Sequence, residues 1–364
     1  MKKIVLILIL SLFYTISLFS QKSYNFYVGT YTDKDSKGIY KYALSAKGKI
    51  LSVKLVANSI NPSFLAFDKE NRILLAVNEI NINNSGTVEL YKSDFDSLIL
   101  LDTDISGGAH PCHVIFNNKG YVLISNYTGG STGLLQFSAS TNTLKFLDIE
   151  QHSGSDISPR QLAPHAHSAW FITGNQFVSA DLGTNELWFS VIDAVVNRII
   201  PLPDLRLKME PGAGPRHIAV NPTTGILYVL NELHNSISVI KPLQGKYTVI
   251  QTISTLPKGF SAANTGAHIQ LSSDNKFLYA SNRGHNSIVV YKVNAENGVL
   301  QFVAHEPTLG DGPRNFAFTP DEKFMLVANQ KSDLITVYKR NKNNGKITYL
   351  SKFEAPTPVC IVFE

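Results

Sequence analysis

Arg216, Glu232 and Arg283 are the residues of this chain whose types most directly imply chemistry. A guanidinium offers a planar fork of donors that fits a carboxylate or a phosphate. A glutamate set among such forks can hold them in place or move a proton. They have company in short segments of related pattern. His165 and His167 lie in Pro164-His-Ala-His167, His217 in Pro215-Arg-His217 and Arg314 in Pro313-Arg-Asn315, while Glu79, Asn126 and Asn282 stand at the ends of apolar runs. His167, His217, Asn282, Arg314, Asn126 and Glu79 are the candidates for substrate binding. If these segments meet, Arg216, Arg283 and Arg314 outweigh Glu79, Glu232 and Asp181 once the neighbouring histidines are added. The field then favours a small anion, carboxylate or phosphate.

Plainer readings stand beside these. An Asn that recurs at the end of one run after another also reads as a turn or blade bridge. His113, His217 and His268 occupy neighbouring positions of a repeated pattern, so they read equally as packed, hydrogen-bonded core histidines. Arg216, Glu232 and Arg283 are different because they break the pattern, appearing in some units and not in others. Scaffolding should recur and chemistry need not, which favours a functional role for these three.

Other chemistries find no support. The chain has no phosphate-binding Gly-x-x-x-x-Gly-Lys-Ser/Thr loop, no His-Glu-x-x-His and no Gly-x-Ser-x-Gly elbow. His165 and His167 would share one face of a strand, but the sequence supplies no third ligand, and two cysteines, Cys112 and Cys360, are too few for a thiolate cluster. No metal or other cofactor is expected, and both thiols are expected to be free and buried. The formal charge is +5, of which Lys2 and Lys3 contribute two, and no Lys/Arg run follows. A nucleic-acid partner is therefore not expected. No heptad pattern sets an oligomeric state.

The elements that must position these residues come from a repeat. Segments of one type begin at Pro62, Pro111, Pro164, Pro215, Gly266, Pro313 and Pro358, about 45–53 residues apart. Most are followed by an Asn/Asp/Gly turn and a second apolar run, as in Asn117-Asn-Lys-Gly120 before Tyr121-Val-Leu-Ile-Ser-Asn126. That is the mark of β-hairpins. With 364 residues, 44% hydrophobic, 20 Phe and 15 Tyr against 3 Met, the composition also leans to β-structure. Four strands per unit predict propeller blades. The N-terminal part supplies three strands (26–30, 38–42 and 51–56) and the C-terminus an orphan fourth (359–363). The expectation is an all-β, seven-bladed propeller over residues 24–364, its ring tied shut by that C-terminal strand. In each blade the start of the first strand and the end of the second share an edge, so the candidate residues should ring one mouth of the central channel.

Residues 1–20 read Met-Lys-Lys followed by an apolar run from Ile4 to Phe19. This is the pattern of a secretory signal peptide, or alternatively of an uncleaved N-terminal anchor. Export to the periplasm or the extracellular space is expected, with no stable membrane contact once the leader is cleaved.

Taken together, Tyr27-Val-Gly-Thr-Tyr-Thr32, Pro164-His-Ala-His167, Gly214-Pro-Arg-His217, Leu230-Asn-Glu232, Ala280-Ser-Asn-Arg283 and Gly312-Pro-Arg-Asn315 resemble the seven-bladed lactonase family. That family includes bacterial propeller-type 6-phosphogluconolactonases and fungal muconate lactonising enzymes. The resemblance runs from about residue 24 to the C-terminus. It implies metal-independent hydrolysis of a sugar lactone, with His165, Arg216, Glu232 and Arg283 as the catalytic group and either Glu232 or His165 as the base. Two alternatives remain at this level: a non-enzymatic exported binding propeller, and a lyase acting on a muconate-type lactone. An exported chain sits apart from the cytoplasm where phosphogluconolactone is made, which leaves the exact lactone open.

Overall fold

Short runs rich in Val, Ile, Leu and aromatic residues, each bounded by Asn, Asp or Gly turns, become strands because alternate side chains can be buried on two faces of a sheet. In the computed structural model, which describes residues 23–364, they form seven antiparallel sheets. The leader lies outside the described residues. Numbered along the chain, blade 1 is built on residues 23–58, blade 2 on 62–105, blade 3 on 111–151, blade 4 on 166–208, blade 5 on 215–254, blade 6 on 265–307 and blade 7 on 313–354. Blade 1 takes its innermost strand from Pro358–Phe363, which pairs antiparallel with Ser23–Thr30.

Each innermost strand also touches the innermost strands on either side of it, so the seven surround one channel. Between every pair of neighbouring blades lies one apolar layer. Phe26, Tyr42, Phe324 and Val337 fill the layer between blades 7 and 1, and Val178, Phe189, Ile218 and Val229 the layer between blades 4 and 5. Stability is thus distributed around the ring, with no single centre.

Five of the seven innermost strands start where the sequence places them, at Pro62, Pro111, Pro215, Pro313 and Pro358. Blade 4 starts later, at Ala166, because the His165 N–H donates to Asp181 Oδ1 at 2.8 Å instead of entering the ladder. The outer edge of blade 4 is also broken. Pro201 and Pro203 lack the N–H a strand needs, so Arg198–Pro201 and Leu207–Lys208 pair separately with Glu186–Asp193 around a 3-10 turn at Pro203–Leu205. No helix among the described residues is long and apolar enough to cross a membrane.

Candidate active site

Two repeat positions build the site. The first is a β-bulge. At its start every innermost strand slips register against the second strand of its blade, leaving Ser63, Cys112, His167, Arg216, Arg314 or Val359 opposite no partner, or Ala267-His268 opposite one residue. A bulge re-aims the side chain it carries. The second position immediately follows the polar residue at the end of the second strand: Tyr31, Glu79, Tyr127, Leu182, Glu232, Arg283 and Gln330. Several residues of both positions meet at one mouth of the channel, while His268 lies beside His217 within it. Together with Arg160, those at the mouth enclose a pocket of about 190 Å³ lined by Tyr31, Glu79, Cys112, Tyr127, His167, Glu232, Arg283 and Arg314. Arg216 lies beneath it, buried against Glu232.

Glu232 is the hub. Its Oε2 is ion-paired with Arg216, 2.8 Å from Nε, and with Arg283, 3.1 Å from Nη2, and its Oε1 lies 3.2 Å from Arg160 Nη2. The arginines are anchored in turn, Arg283 Nη2 donating to Gly266 O at 2.8 Å and Arg216 Nη1 to Ala267 O. Burial would raise the Glu232 pKa, but Arg283, Arg216, Arg160 and Arg314 overcome it and hold the carboxyl at about 2. Burial together with Arg283 brings Arg216 down to about 9, against the pull of Glu232. Across the pocket Glu79 accepts from Tyr31 OH at 2.8 Å, and Arg314 Nη2 donates to the same hydroxyl at 2.7 Å, 4.0 Å from Glu79 Oε2. Four guanidiniums thus surround two carboxylates, so the mouth is electropositive, and a guest anion would find charge left uncompensated.

His165 is not among the residues that line the pocket; it packs against one of them, Tyr127. The His165 ring stacks on Tyr127, centroids 4.5 Å apart and 11° from parallel, and Nδ1 lies 3.0 Å from Tyr127 O. A carbonyl only accepts, so Nδ1 carries a proton, and in the neutral imidazole the free lone pair is then on Nε2. The segment is fixed by close packing, since a Cβ on Gly183 would run into Ala163 O and the backbone N of His165. His167 is buried in the pocket wall, Nε2 4.0 Å from Glu232 Oε2 and Nδ1 3.6 Å from Cys112 Sγ. Burial, Arg216 and Arg314 drive its pKa well below the ordinary value, so it is neutral. Burial pushes the Cys112 thiol upward, with Glu79 adding to it. Cys112 and Cys360 are both free and buried.

The sequence candidates divide into levels. His167, Arg216, Glu232, Arg283, Arg314 and Glu79 meet at the mouth, and His165 adjoins it through Tyr127. His217 lies deeper, Nδ1 3.0 Å from His268 Nδ1, in a channel cluster with His113. Burial holds His113 and His268 at about 3 and drives His217 well below its usual value, so these histidines add no positive charge to the mouth. Asn126 and Asn282 sit one residue before a pocket position and therefore face the other way. Asn126 Nδ2 donates to Ser106 O and Ser131 Oγ, both at 3.1 Å, and Asn282 Nδ2 donates to Thr255 O at 2.8 Å. Asp181, expected among the mouth charges, is fully buried behind it, 2.7 Å from His152 Nδ1. Arg160 carries no sequence signal, because it lies in the connection between blades 3 and 4, outside the repeat. Tyr31 and Tyr127 were visible in the repeat, but carry no charge to single them out. Among the described residues, no three His, Cys, Asp or Glu side chains are grouped to hold a metal ion.

Fold and site together define a seven-bladed propeller with an anion-attracting pocket at one mouth of its channel. The chain belongs to the seven-bladed β-propeller lactonase family, whose family model matches residues 25–363. It is 34% identical to the 6-phosphogluconolactonase of Bacillus subtilis over 93% of this chain and 97% of that one. It is 33% identical to a 6-phosphogluconolactonase of Formosa agariphila over 81% of this chain and 86% of that one. Among solved structures, it superposes on a periplasmic gluconolactonase of Pseudomonas aeruginosa with a TM-score of 0.88, at 29% identity, covering 94% of this chain and 99% of that one.

Proposed function

We propose that this protein hydrolyses an anionic sugar lactone, 6-phosphogluconolactone or a related aldonolactone, without a metal or other cofactor. The observation that carries this reading is the gathering of four arginines around two carboxylates in a pocket of about 190 Å³. That is below the roughly 300–1,000 Å³ typical of drug-sized ligands and suits one small ring. The names of the similar proteins point the same way. Of the two candidate bases, a carboxyl held at about 2 is a poor proton acceptor at neutral pH. Glu232 instead fixes Arg216 and Arg283, and His165 Nε2 is the base.

In the proposed reaction the lactone carbonyl meets Arg283 and Arg314. Water attacks its carbon and passes a proton to His165 Nε2, while the guanidiniums stabilise the oxyanion. The intermediate collapses by breaking the bond from the carbonyl carbon to the ring oxygen, which takes the proton back from His165. The product is an open-chain hydroxy acid. The apolar N-terminal run read in the sequence favours a reaction outside the cytoplasm, a reading supported by the periplasmic gluconolactonase among the similar structures. The test is kinetic. His165→Ala should lose at least about tenfold in kcat with KM held, and Arg216→Ala at least about tenfold in kcat/KM. Folded variants that both keep wild-type rates would put the chemistry elsewhere.

A further inference from the structure

We infer that Arg160 reads the phosphate of a phosphorylated lactone and so sets the preference for that substrate over the unphosphorylated one. The inference rests on the lactone reading above. Every other side chain lining the pocket comes from one of the two repeat positions, and among the described residues Arg160 alone does not. It projects from the 3-10 turn Pro159–Gln161, in the connection between blades 3 and 4.

That turn is firmly built. Ser158 Oγ accepts from Arg160 N at 3.3 Å, and Gln161 Oε1 from Ser158 N at 3.3 Å. The buried Gln161 donates Nε2 to Leu182 O at 2.8 Å, while its carbonyl accepts from Asp156 N at 2.8 Å. Asp156 is itself ion-paired with Lys208 at 2.9 Å. The backbone is therefore tied to blade 4, and the long side chain reaches back over the mouth.

The guanidinium is the outermost of the four. The Arg160 side chain is 47% exposed, against 2% for Arg216, 16% for Arg283 and 17% for Arg314. Its contacts to Tyr127 OH at 2.7 Å and to Glu232 Oε1 at 3.2 Å both use Nη2. Nε and Nη1 carry no hydrogen bond among the described residues, which leaves donors of the fork for a guest. Glu232 shares one negative charge among Arg216, Arg283 and Arg160. The phosphate of a 6-phosphorylated aldonolactone hangs on an exocyclic carbon. With the carbonyl among the deeper arginines, that group projects towards the mouth and meets Arg160.

The test compares kcat/KM on 6-phosphogluconolactone and on gluconolactone for the wild type, Arg160→Ala, Arg160→Lys and Arg314→Ala. Calorimetric binding of 6-phosphogluconate and gluconate is measured alongside. The ratio of the two kcat/KM values should fall at least about tenfold in Arg160→Ala, chiefly through KM, and recover in part in Arg160→Lys. Any loosening of Glu232 affects both lactones and cancels in the ratio. A wild type without preference for the phosphorylated lactone, a ratio unchanged in Arg160→Ala, or a ratio lost only in Arg314→Ala would overturn the inference. If neither lactone is turned over, the lactone reading fails, and binding decides separately. Loss of the preference for 6-phosphogluconate over gluconate in Arg160→Ala supports phosphate reading, and an unchanged preference overturns it.

Discussion

Glu79 and Glu232 occupy the same position of the repeat, each following an Asn at the end of a second strand, in blades 2 and 5. Their surroundings differ. Glu79 keeps 18% of its side-chain surface exposed, accepts one tyrosine hydroxyl and has Arg314 at 4.0 Å. Glu232 keeps 4% and is gripped by guanidiniums on both oxygens. The difference comes from the neighbouring blades. The next blade brings Arg283 beside Glu232, its own bulge brings Arg216, and the connection before blade 4 brings Arg160. Beside Glu79, the bulge of its own blade carries only Ser63. The fold fixes where a side chain points, while the residues that its own bulge, the next blade and a connection bring beside it decide what it becomes.

The largest expected effect tests that contrast directly. Glu232→Gln should lower kcat/KM at least about 100-fold and destabilise the fold by about 3–5 kcal/mol, because buried guanidiniums lose their counter-charge. Glu79→Gln should cost about tenfold or less in kcat/KM, with a small change in Tm. Equal losses in both variants would break the comparison. The next test uses adjacent residues that face opposite ways. Arg283→Ala should cost at least about tenfold in kcat/KM with the fold intact. Asn282→Ala should cost about 1–3 kcal/mol of stability, through its lost blade-bridging bonds, and leave folded molecules close to wild-type turnover. A reversal of the two phenotypes would exchange the pocket and scaffold positions.

The smallest effect is a stability profile. Glu232, ordinarily 4.5, is held at about 2 by arginines that overcome its burial. Its contribution is present above pH 4.5 and is lost as pH falls from 4.5 towards 2. His113 and His268, ordinarily 6.5, are held at about 3, chiefly by burial. The unfolded chain takes up those protons first, so their contribution is also lost on acidification, from pH 6.5 towards 3. Tm should therefore start to fall below pH 6.5, before Glu232 titrates. His113→Phe should flatten the upper part of that profile and Glu232→Gln the lower. A Tm constant from pH 6.5 to 4.5 would contradict this account of the channel histidines.

The blades were legible because turn chemistry and apolar alternation recur about every 45–53 residues, and most innermost strands begin at a proline visible in the sequence. The mouth was legible because Arg216, Glu232 and Arg283 break that recurrence. Depth was not legible. His167 and His217 look alike in their segments, but the first is a bulge residue of blade 4 and the second follows the bulge of blade 5, which sends it down the channel. Asn126 and Asn282 were off by one residue, which on a strand is the difference between the two faces. Arg160 belongs to a connection, and only the packing of that connection onto blade 4 brings it to the pocket.

The most direct measurement is proton release by the purified chain lacking residues 1–20, on fresh 6-phosphogluconolactone and gluconolactone, with EDTA present and the spontaneous rate subtracted. Saturable release that EDTA leaves unchanged, faster on the phosphorylated lactone, is the predicted result. No release above background on either lactone would contradict the assignment of this pocket to lactone hydrolysis.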